Sequence, residues 1–165
     1  MIKKIPLFLL LVVVLATEGC ANINDKTNDI TIDNGKSDHK DQNWKESPLF
    51  ESNGYTMIGE KGRIGFIYDD SETTRFYPNK KNKYMFHVWG KDKELDGSFE
   101  VIATHEDDDK KITILNESLA GPNNGADRHL PTTLSLPKSG MWRLDAYIGN
   151  QLFGSIFVKV YNNEH

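Results

Sequence analysis

From Pro48 onward, apolar residues recur at every second position in short runs that are separated by turn residues. A period of two is typical of half-buried β-strands, because successive side chains point to opposite faces of a sheet. No segment in this region shows a helical stripe. The pattern predicts strands at residues 55–59, 63–68, 83–89, 98–105, 112–115, 130–136, 142–148 and 152–161. Short strands without a parallel-sheet pattern predict an all-β, antiparallel β-sandwich of about seven to eight strands.

Turn residues predict how these strands are joined. Residues 60–62 are expected to close a hairpin, and Gly149-Asn150 is a two-residue hairpin signal. The connections at residues 69–82 and 116–128 are long for a sandwich, and long loops often carry function. The candidate binding residues of these loops are Arg75, Phe76, Tyr77, Asn123, Asn124, Asp127, Arg128 and His129.

The Arg-Phe-Tyr sequence at residues 75–77 has two interpretations. Arginine and aromatic side chains are frequent hot spots of protein interfaces, so an exposed trio would favour a binding surface. The alternative, which we favour for the aromatic pair, is that Phe76 or Tyr77 packs into the core beneath its own loop.

The first twenty residues have the layout of a processing signal. Two lysines precede ten apolar residues at 7–16, a run too short to span a bilayer, which needs roughly 20. The layout resembles a bacterial lipoprotein signal peptide that ends at Cys20, although Thr17 and Glu18 depart from the usual Leu and small residue. The resemblance implies a diacylglycerol on Cys20 and cleavage before it. The alternative is an ordinary secretory signal that is cleaved nearby.

Cys20 is the only cysteine of the 165 residues, so the folded region cannot contain an internal disulfide. Residues 21–47 are rich in Asn, Asp, Lys, Ser and Thr, which predicts a disordered tether with a span of roughly 30 Å. The alternative is a first strand around Ile30 and Ile32. The expected organisation is a signal peptide at 1–19, a lipidated tether at 20–47 and a sandwich domain at 48–165.

The charge balance limits the classes of partner. The chain has 20 Lys and Arg against 24 Asp and Glu, for a net charge of −4. This weakly acidic chain lacks the excess of basic residues that would attract nucleic acids or anionic lipid headgroups. Nucleic acid is therefore not an expected partner, and contact with the membrane is expected to come from the lipid anchor.

No familiar catalytic motif is present. The sequence has neither a Gly-x-Ser-x-Gly nucleophile elbow nor a glycine-rich phosphate cradle. We therefore predict a non-enzymatic protein without a cofactor. A hydrolase that uses Asp127, Arg128 and His129 is an alternative supported only by their adjacency.

Histidines and acidic residues are the remaining candidates for metal binding. No two of the five histidines have the i, i+2 or i, i+4 spacing that would direct both rings at one ion, so no metal site is predicted. A composite Cu or Zn site that unites distant residues is an alternative. Its candidates are His87, His105 or His129 with Met57, Met85 or Met141. The acidic clusters at 69–72 and 106–109 lack the alternating spacing of a calcium loop, and charged turns explain them better.

Residues 134–142, with the sequence LSLPKSGMW, resemble the E strand, E–F corner and F strand of an immunoglobulin-like domain. That pattern is a Leu-rich strand followed by a turn that ends in Ser/Thr-Gly-x-Tyr. Here Trp142 stands in the place of the tyrosine, Lys138 replaces an acidic residue, and the inter-sheet cysteines are absent. The resemblance implies an immunoglobulin-like sandwich whose last hairpin, residues 143–160, supplies strands F and G.

The whole chain resembles small lipoproteins of Bacillus-type Gram-positive bacteria. The shared features are a lipid signal, a polar spacer and one immunoglobulin-like domain that ends in Gly-x-Trp-x-Leu and Gly-Ser-Ile…Val. This family has no characterised activity, so the resemblance implies location and fold alone. We expect a lipoprotein on the outer face of the cell membrane that binds a protein, peptide or glycan through its loops.

Overall fold

The computed structural model describes residues 43–162. The expected signal peptide, Cys20, most of the expected tether, His39 and His165 lie outside the described residues. Within residues 43–162 no helix is long and apolar enough to cross a membrane. The strands are β1 (Leu49–Ser52), β2 (Tyr55–Glu60), β3 (Ile64–Ile67), β4 (Asn82–Val88), β5 (Ser98–His105), β6 (Lys111–Ser118), β7 (Arg128–Leu134), β8 (Gly140–Ile148) and β9 (Gln151–Val160).

The strands form two antiparallel sheets. Sheet A has the order β1-β2-β3-β4-β7, and sheet B has the order β6-β5-β8-β9. The inner faces pack on each other, as Phe86 of sheet A and Phe99 of sheet B show with ring centroids 5.4 Å apart. The prediction of an all-β antiparallel sandwich is confirmed.

All eight predicted strands are present, and a ninth strand precedes them. The period-two pattern does not reveal β1, because its four residues are half-buried or exposed, and Leu49 keeps 47% of its surface. β6 extends to Ser118 instead of ending at residue 115, since Asn116, Glu117 and Ser118 pair with β5 at an exposed edge. The second long loop is therefore residues 119–127, shorter than predicted.

Sheet A depends on a close approach between β1 and β3. The ring of Phe50 in β1 lies over Gly65, where a Cβ would be 2.8 Å from the Phe50 Cζ atom. Only glycine leaves room for this ring. Phe50 also makes an edge contact with Trp89, with centroids 6.2 Å apart. Because Gly65 has no side chain, the ring of Phe50 can pack there and hold the short strand β1 on sheet A.

The chain contacts the sandwich before Pro48. Ser47 donates its backbone N–H to the carbonyl of Phe157 in β9 at 2.9 Å, and its hydroxyl accepts the N–H of Phe157 at 2.9 Å. The ring of Trp44 packs on Phe157 at 5.7 Å. Residues 43–47, which the sequence assigned to the tether, therefore lie along the edge of sheet B.

The core is centred on Phe66, which is fully buried in β3. Its ring contacts four other aromatic rings at centroid distances of 5.1 to 6.1 Å, namely those of Tyr68, Phe76, Tyr84 and Phe86. Edge-to-face pairs of this kind stabilise a core beyond the burial of their area. Because no disulfide can support the described domain, this cluster has to stabilise it through packing.

Phe66→Ala should lower the free energy of unfolding by about 3–5 kcal/mol, because it removes a buried ring and leaves a cavity among its neighbours. Urea unfolding measures the loss, provided that the free energy of unfolding falls with urea concentration at the same slope in both proteins. Leu152, which is 57% exposed, provides the control. Leu152→Ala should change stability by no more than about 0.5 kcal/mol. Equal effects of the two substitutions would contradict the central place of Phe66.

Candidate functional site

The two long loops lie at opposite ends of sheet A. β4 and β7 are antiparallel, with Asn82 paired to Leu134 and Val88 paired to Arg128. The loop at 69–81 leads into Asn82, and the loop at 119–127 leads into Arg128. The candidate binding residues therefore cannot form one shared site, and each loop has its own surroundings.

The loop at 69–81 borders an open cavity of about 1070 Å³, which we call the end groove. One wall carries Arg75, Tyr77 and Lys80, and the end of β9 adds Lys159 and Tyr161. The opposite wall comes from the β5–β6 turn and the β7–β8 corner, with Glu106, Asp107, Ser139 and Gly140. Glu72 lines the groove beside Arg75, so side chains of both charge signs lie along this surface.

Phe76 explains how the loop presents its neighbours. Its ring is 2% exposed and stacks on Tyr84 with centroids 4.6 Å apart. Its carbonyl accepts the backbone N–H of Tyr161 at 2.9 Å. Phe76 therefore belongs to the core, as the alternative interpretation of the trio proposed, whereas Arg75 and Tyr77 on either side of it line the end groove.

Asp70 connects the loop to the floor of the groove. Its Oδ1 atom accepts hydrogen bonds from Arg75 Nε at 2.9 Å, Tyr161 Oη at 2.9 Å and Tyr68 Oη at 3.2 Å. The Arg75 hydrogen bond is the main reason why the pKa of Asp70 lies below its ordinary value. The same contact raises the pKa of Arg75. Asp70 also has a φ of 58°, a conformation that costs energy for a residue other than glycine.

Asp69 closes the first turn of the same loop. Its Oδ1 atom accepts the hydroxyl of Thr74 at 2.7 Å and the backbone N–H of Ser71 at 3.1 Å. Hydrogen bonds from Ser71 and Thr74 lower the pKa of Asp69 to about 2. The third carboxylate of the cluster, Glu72, accepts the hydroxyl of Tyr77 at 2.8 Å, so all three have protein partners that hold the loop in place.

Cations cover the tyrosine rings of the groove. Arg75 Cζ and Lys159 Nζ each lie 4.6 Å from the centroid of the Tyr161 ring. Lys80 Nζ lies 5.0 Å from the centroid of Tyr77, and the two tyrosine rings are 6.3 Å apart. These cation–π contacts position the three positive side chains before any ligand arrives.

The opposite wall is built around His105, which is 3% exposed. Its Nε2–H donates to the carbonyl of Ser139 at 2.8 Å, and its Nδ1 accepts the backbone N–H of Asp107 at 3.1 Å. Glu106 accepts the N–H of Met141 at 2.8 Å. Both ring nitrogens of His105 thus hold the backbone of this wall, at a distance from the other two candidate histidines on sheet A.

The loop at 119–127 folds over the outer face of sheet A. Residues 123–126 form a small hairpin, which we call the lid, closed by mutual backbone hydrogen bonds between Asn123 and Ala126 at 3.2 and 2.9 Å. Asn124 and Gly125 at its tip have φ values of 48° and 77°, which suit an Asn-Gly turn. Trp89 Nε1 donates to the carbonyl of Gly125 at 2.7 Å.

The two asparagines of the lid point toward the sheet. Asn123 Nδ2 lies 3.4 Å from Met85 Sδ, and Asn124 Nδ2 lies 3.2 Å from His87 Nε2. His87 is fully buried, and burial lowers the pKa of its imidazole. The side chains of Asn123 and Asn124, predicted to face a ligand, contact the protein itself.

Asp127, Arg128 and His129 have three separate sets of partners. Asp127 Oδ2 accepts the N–H of Gly90 at 2.9 Å, and Arg128 pairs with Asp92 at 3.1 Å. His129 Nδ1 donates to the carbonyl of Gly121 at 2.7 Å. Arg128 and His129 are adjacent in β7 and so point to opposite faces of sheet A. The structure does not bring these three side chains together.

Within residues 43–162, no three His, Cys, Asp or Glu side chains are grouped as metal ligands. The acidic turn at 106–109 instead forms part of the groove wall, through Glu106 and Asp107. The sequence did not identify Lys159 and Tyr161 as residues of the end groove, or Glu46 as a neighbour of Asp70. Glu46 was assigned to the tether, and the other two end a strand whose pattern indicates burial alone.

Glu46 lies close to Asp70 and Lys159 beneath the groove. Its Oε1 atom is buried, and no group among residues 43–162 forms a hydrogen bond with it. Burial and then the nearby charge of Asp70 raise the pKa of Glu46 above its ordinary value of 4.5. The folded protein therefore binds this proton more tightly than the unfolded chain does, and it loses stability as the pH rises through the folded pKa.

Glu46→Gln should raise the Tm at neutral pH by a few degrees, because a neutral amide avoids the cost of an ionised, partly buried carboxylate. The gain should disappear well below pH 4.5, where Glu46 is protonated in both states. Thermal unfolding across this pH range measures both effects. Glu60→Gln, at an exposed position, is the control and should leave the Tm unchanged. A Tm gain that does not depend on pH would contradict the assignment.

The sandwich is similar to that of a known protein. A solved crystal structure of a candidate lipoprotein from Bacillus anthracis is 24% identical in sequence and superposes with a TM-score of 0.59, over 74% of this chain and 89% of that chain. This similarity supports the fold. No curated protein matches the chain. The family described as a domain of unknown function, DUF4871, matches residues 35–158, which is most of the sequence. With its nine-stranded sandwich and its match over most of its length, the chain belongs to the DUF4871 family.

Proposed function

We propose that this protein is a lipid-anchored, extracytoplasmic binding module that receives a polypeptide segment of a partner protein in its end groove. The observation that carries the proposal is the end groove itself. It is open, measures about 1070 Å³, and brings Arg75, Tyr77, Lys80 and Tyr161 to one surface opposite Glu106.

The groove has the composition of a protein interface. Arginine and tyrosine are over-represented among the residues that dominate binding energy, and Arg75, Tyr77 and Tyr161 form one contiguous patch. Lys80 and Lys159 on one side and Glu106 and Asp107 on the other provide a polar rim. A polypeptide supplies charged groups of both signs together with backbone hydrogen-bonding groups, so it fits a groove of mixed charge.

The geometry favours an extended chain over a small molecule. Pockets for small ligands measure about 300–1,000 Å³ and bury most of the ligand surface between largely apolar walls. The end groove has a mainly polar lining and is partly open to solvent. The cation–π contacts hold Arg75 and Lys159 in position, which reduces the entropy that a partner must remove on binding.

The proposed anchor is a diacylglycerol on Cys20. The support is the layout of residues 1–20 together with the structural similarity to a candidate lipoprotein from Bacillus anthracis. Two acyl chains hold a protein on a membrane, whereas one is marginal. The described chain begins beside β9, where Ser47 contacts Phe157, and β9 ends at the groove.

We also propose that the sandwich is immunoglobulin-like. From β3 onward, the orders β3-β4-β7 and β6-β5-β8-β9 correspond to strands A-B-E and C′-C-F-G, and β1 and β2 are additions. Trp142 Nε1 donates to the carbonyl of Lys138 at 2.9 Å. This bond has the role of the hydroxyl of a corner tyrosine, which reaches back to the backbone a few residues upstream.

The groove proposal is tested with a photo-crosslinking residue in place of Tyr77 in cells that carry the full chain. We expect a discrete partner adduct, which the double substitution Lys80→Glu and Lys159→Glu reduces at least about tenfold through charge reversal. The matched control is Lys61→Glu with Lys93→Glu, two exposed positions outside the groove. It should leave the adduct unchanged. Equal loss in both double variants, or no adduct, would overturn the proposal.

The anchor proposal predicts that Cys20→Ser moves the protein from the membrane fraction to the medium, because the lipid is the expected source of membrane affinity. Cell fractionation measures the distribution. Mass spectrometry of the native protein should find a diacylglyceryl group on an N-terminal Cys20. An unmodified thiol, or a Cys20→Ser protein that stays with the membrane, would contradict it.

A further inference from the structure

We propose that Met85, His87 and His129 form a binding site for a soft monovalent metal ion of the Cu(I) type on the outer face of sheet A, beneath the lid. This site lies outside the end groove, so it does not depend on the function proposed above. Three observations carry it: the strand register, the hydrogen bonds of the two imidazoles, and the contacts of Met85 and His87 with one atom of the lid.

The register brings the three side chains to one face. His87 in β4 is paired with His129 in β7, and directly paired residues of antiparallel strands project from the same face. Met85 precedes His87 by two positions, so it projects from that face as well. Sequence spacing could not reveal this arrangement, because the two histidines are 42 residues apart.

Both imidazoles are hydrogen-bonded as metal ligands usually are. His87 Nδ1 donates to the carbonyl of Met85 at 3.1 Å, and His129 Nδ1 donates to the carbonyl of Gly121 at 2.7 Å. A backbone acceptor at Nδ1 fixes the tautomer and leaves the lone pair of Nε2 for a metal. The Nε2 atoms of His87 and His129 are therefore the two nitrogen donors of the proposed site.

The sulfur of Met85 and the Nε2 of His87 converge on the lid. Asn124 Nδ2 lies 3.2 Å from His87 Nε2 and 3.9 Å from Met85 Sδ, so these two donors are at most about 7 Å apart. Asn123 Nδ2 lies 3.4 Å from the same sulfur. A thioether is a weak hydrogen-bond acceptor, so the lid closes over it with weak bonds. A metal ion that binds the donors would replace these contacts as the carboxamides turn aside.

The donor set selects the kind of ion. Thioether and imidazole ligands suit Cu(I), whereas oxygen ligands suit harder cations. Thioether and imidazole donors carry no negative charge. A divalent ion held by them beneath the lid would leave more uncompensated charge than a monovalent one, and buried charge is costly. The site should therefore prefer Cu(I) or its redox-inert analogue Ag(I) over Zn²⁺.

Trp89 gives the site an optical reporter. Its ring stacks on His87 with centroids 6.2 Å apart and an interplanar angle of 27°. Its Nε1–H donates to the carbonyl of Gly125 in the lid at 2.7 Å. Movement of the lid, or metal binding at His87, should therefore change the fluorescence of this indole.

The test titrates the purified full chain with Ag(I) by calorimetry and with Cu(I) in competition against a chromogenic chelator. We expect one ion per chain, with a change in Trp89 fluorescence that is absent in Trp89→Phe. Met85→Leu and His129→Gln should each weaken binding at least about tenfold. Met141→Leu is the matched control, because Met141 lies in β8 of the other sheet, and it should bind as the native chain does.

A second readout needs no binding-site variant. In protein with ¹³C-labelled methionine methyl groups, Ag(I) should shift the Met85 resonance and leave that of Met141 in place. Failure of the native chain to bind Ag(I) would overturn the proposal. Undiminished binding by Met85→Leu, an unmoved Met85 resonance, or tighter binding of Zn²⁺ than of Ag(I) would also overturn it.

Discussion

The stacking of Phe76 on Tyr84 links the core of this protein to its surface. The fourteen residues between β3 and β4 would otherwise lose much entropy on ordering. Burial of one large aromatic ring in its middle offsets that loss and fixes the direction of the chain. Because neighbouring residues of an extended chain point to opposite sides, Arg75 and Tyr77 face outward whenever Phe76 faces inward. The end groove is in this sense a consequence of core packing.

The polar network under the groove completes this arrangement. Asp70 receives hydrogen bonds from one arginine and two tyrosines, and these contacts hold a backbone conformation that costs energy by itself. Strain that is maintained in this way is common where a surface has to be positioned. Glu46 lies beside this network, and its buried Oε1 atom has no hydrogen-bond partner among residues 43–162. A buried oxygen without a partner lowers the stability of the fold at the same place. Both features lie at the surface for which we propose a binding function.

Part of the outer face of sheet A is covered by the lid. Most exposed sheet faces carry polar residues in contact with water, but here the lid covers a histidine and a methionine with the amides of Asn123 and Asn124. The lid is a tight hairpin whose Asn-Gly tip reaches Trp89. The sequence placed Asn123 and Asn124 among the candidate binding residues. The structure shows that these residues meet side chains of the same chain.

The sequence by itself determined the secondary structure and the class of fold, because the alternation of apolar and polar side chains is a local property of the chain. It indicated the strands from Tyr55 to Val160 and the candidate corner at Trp142, and it missed β1, whose burial depends on Phe50 meeting Gly65 across two strands. Only the tertiary structure decided which residues meet. It separated Arg75 from Arg128, paired His87 with His129, added Tyr161 to the groove and brought Glu46 close to Asp70. Such pairings arise from strand order and register. Contacts along the whole chain determine both, so the sequence spacing of two residues does not reveal whether they meet.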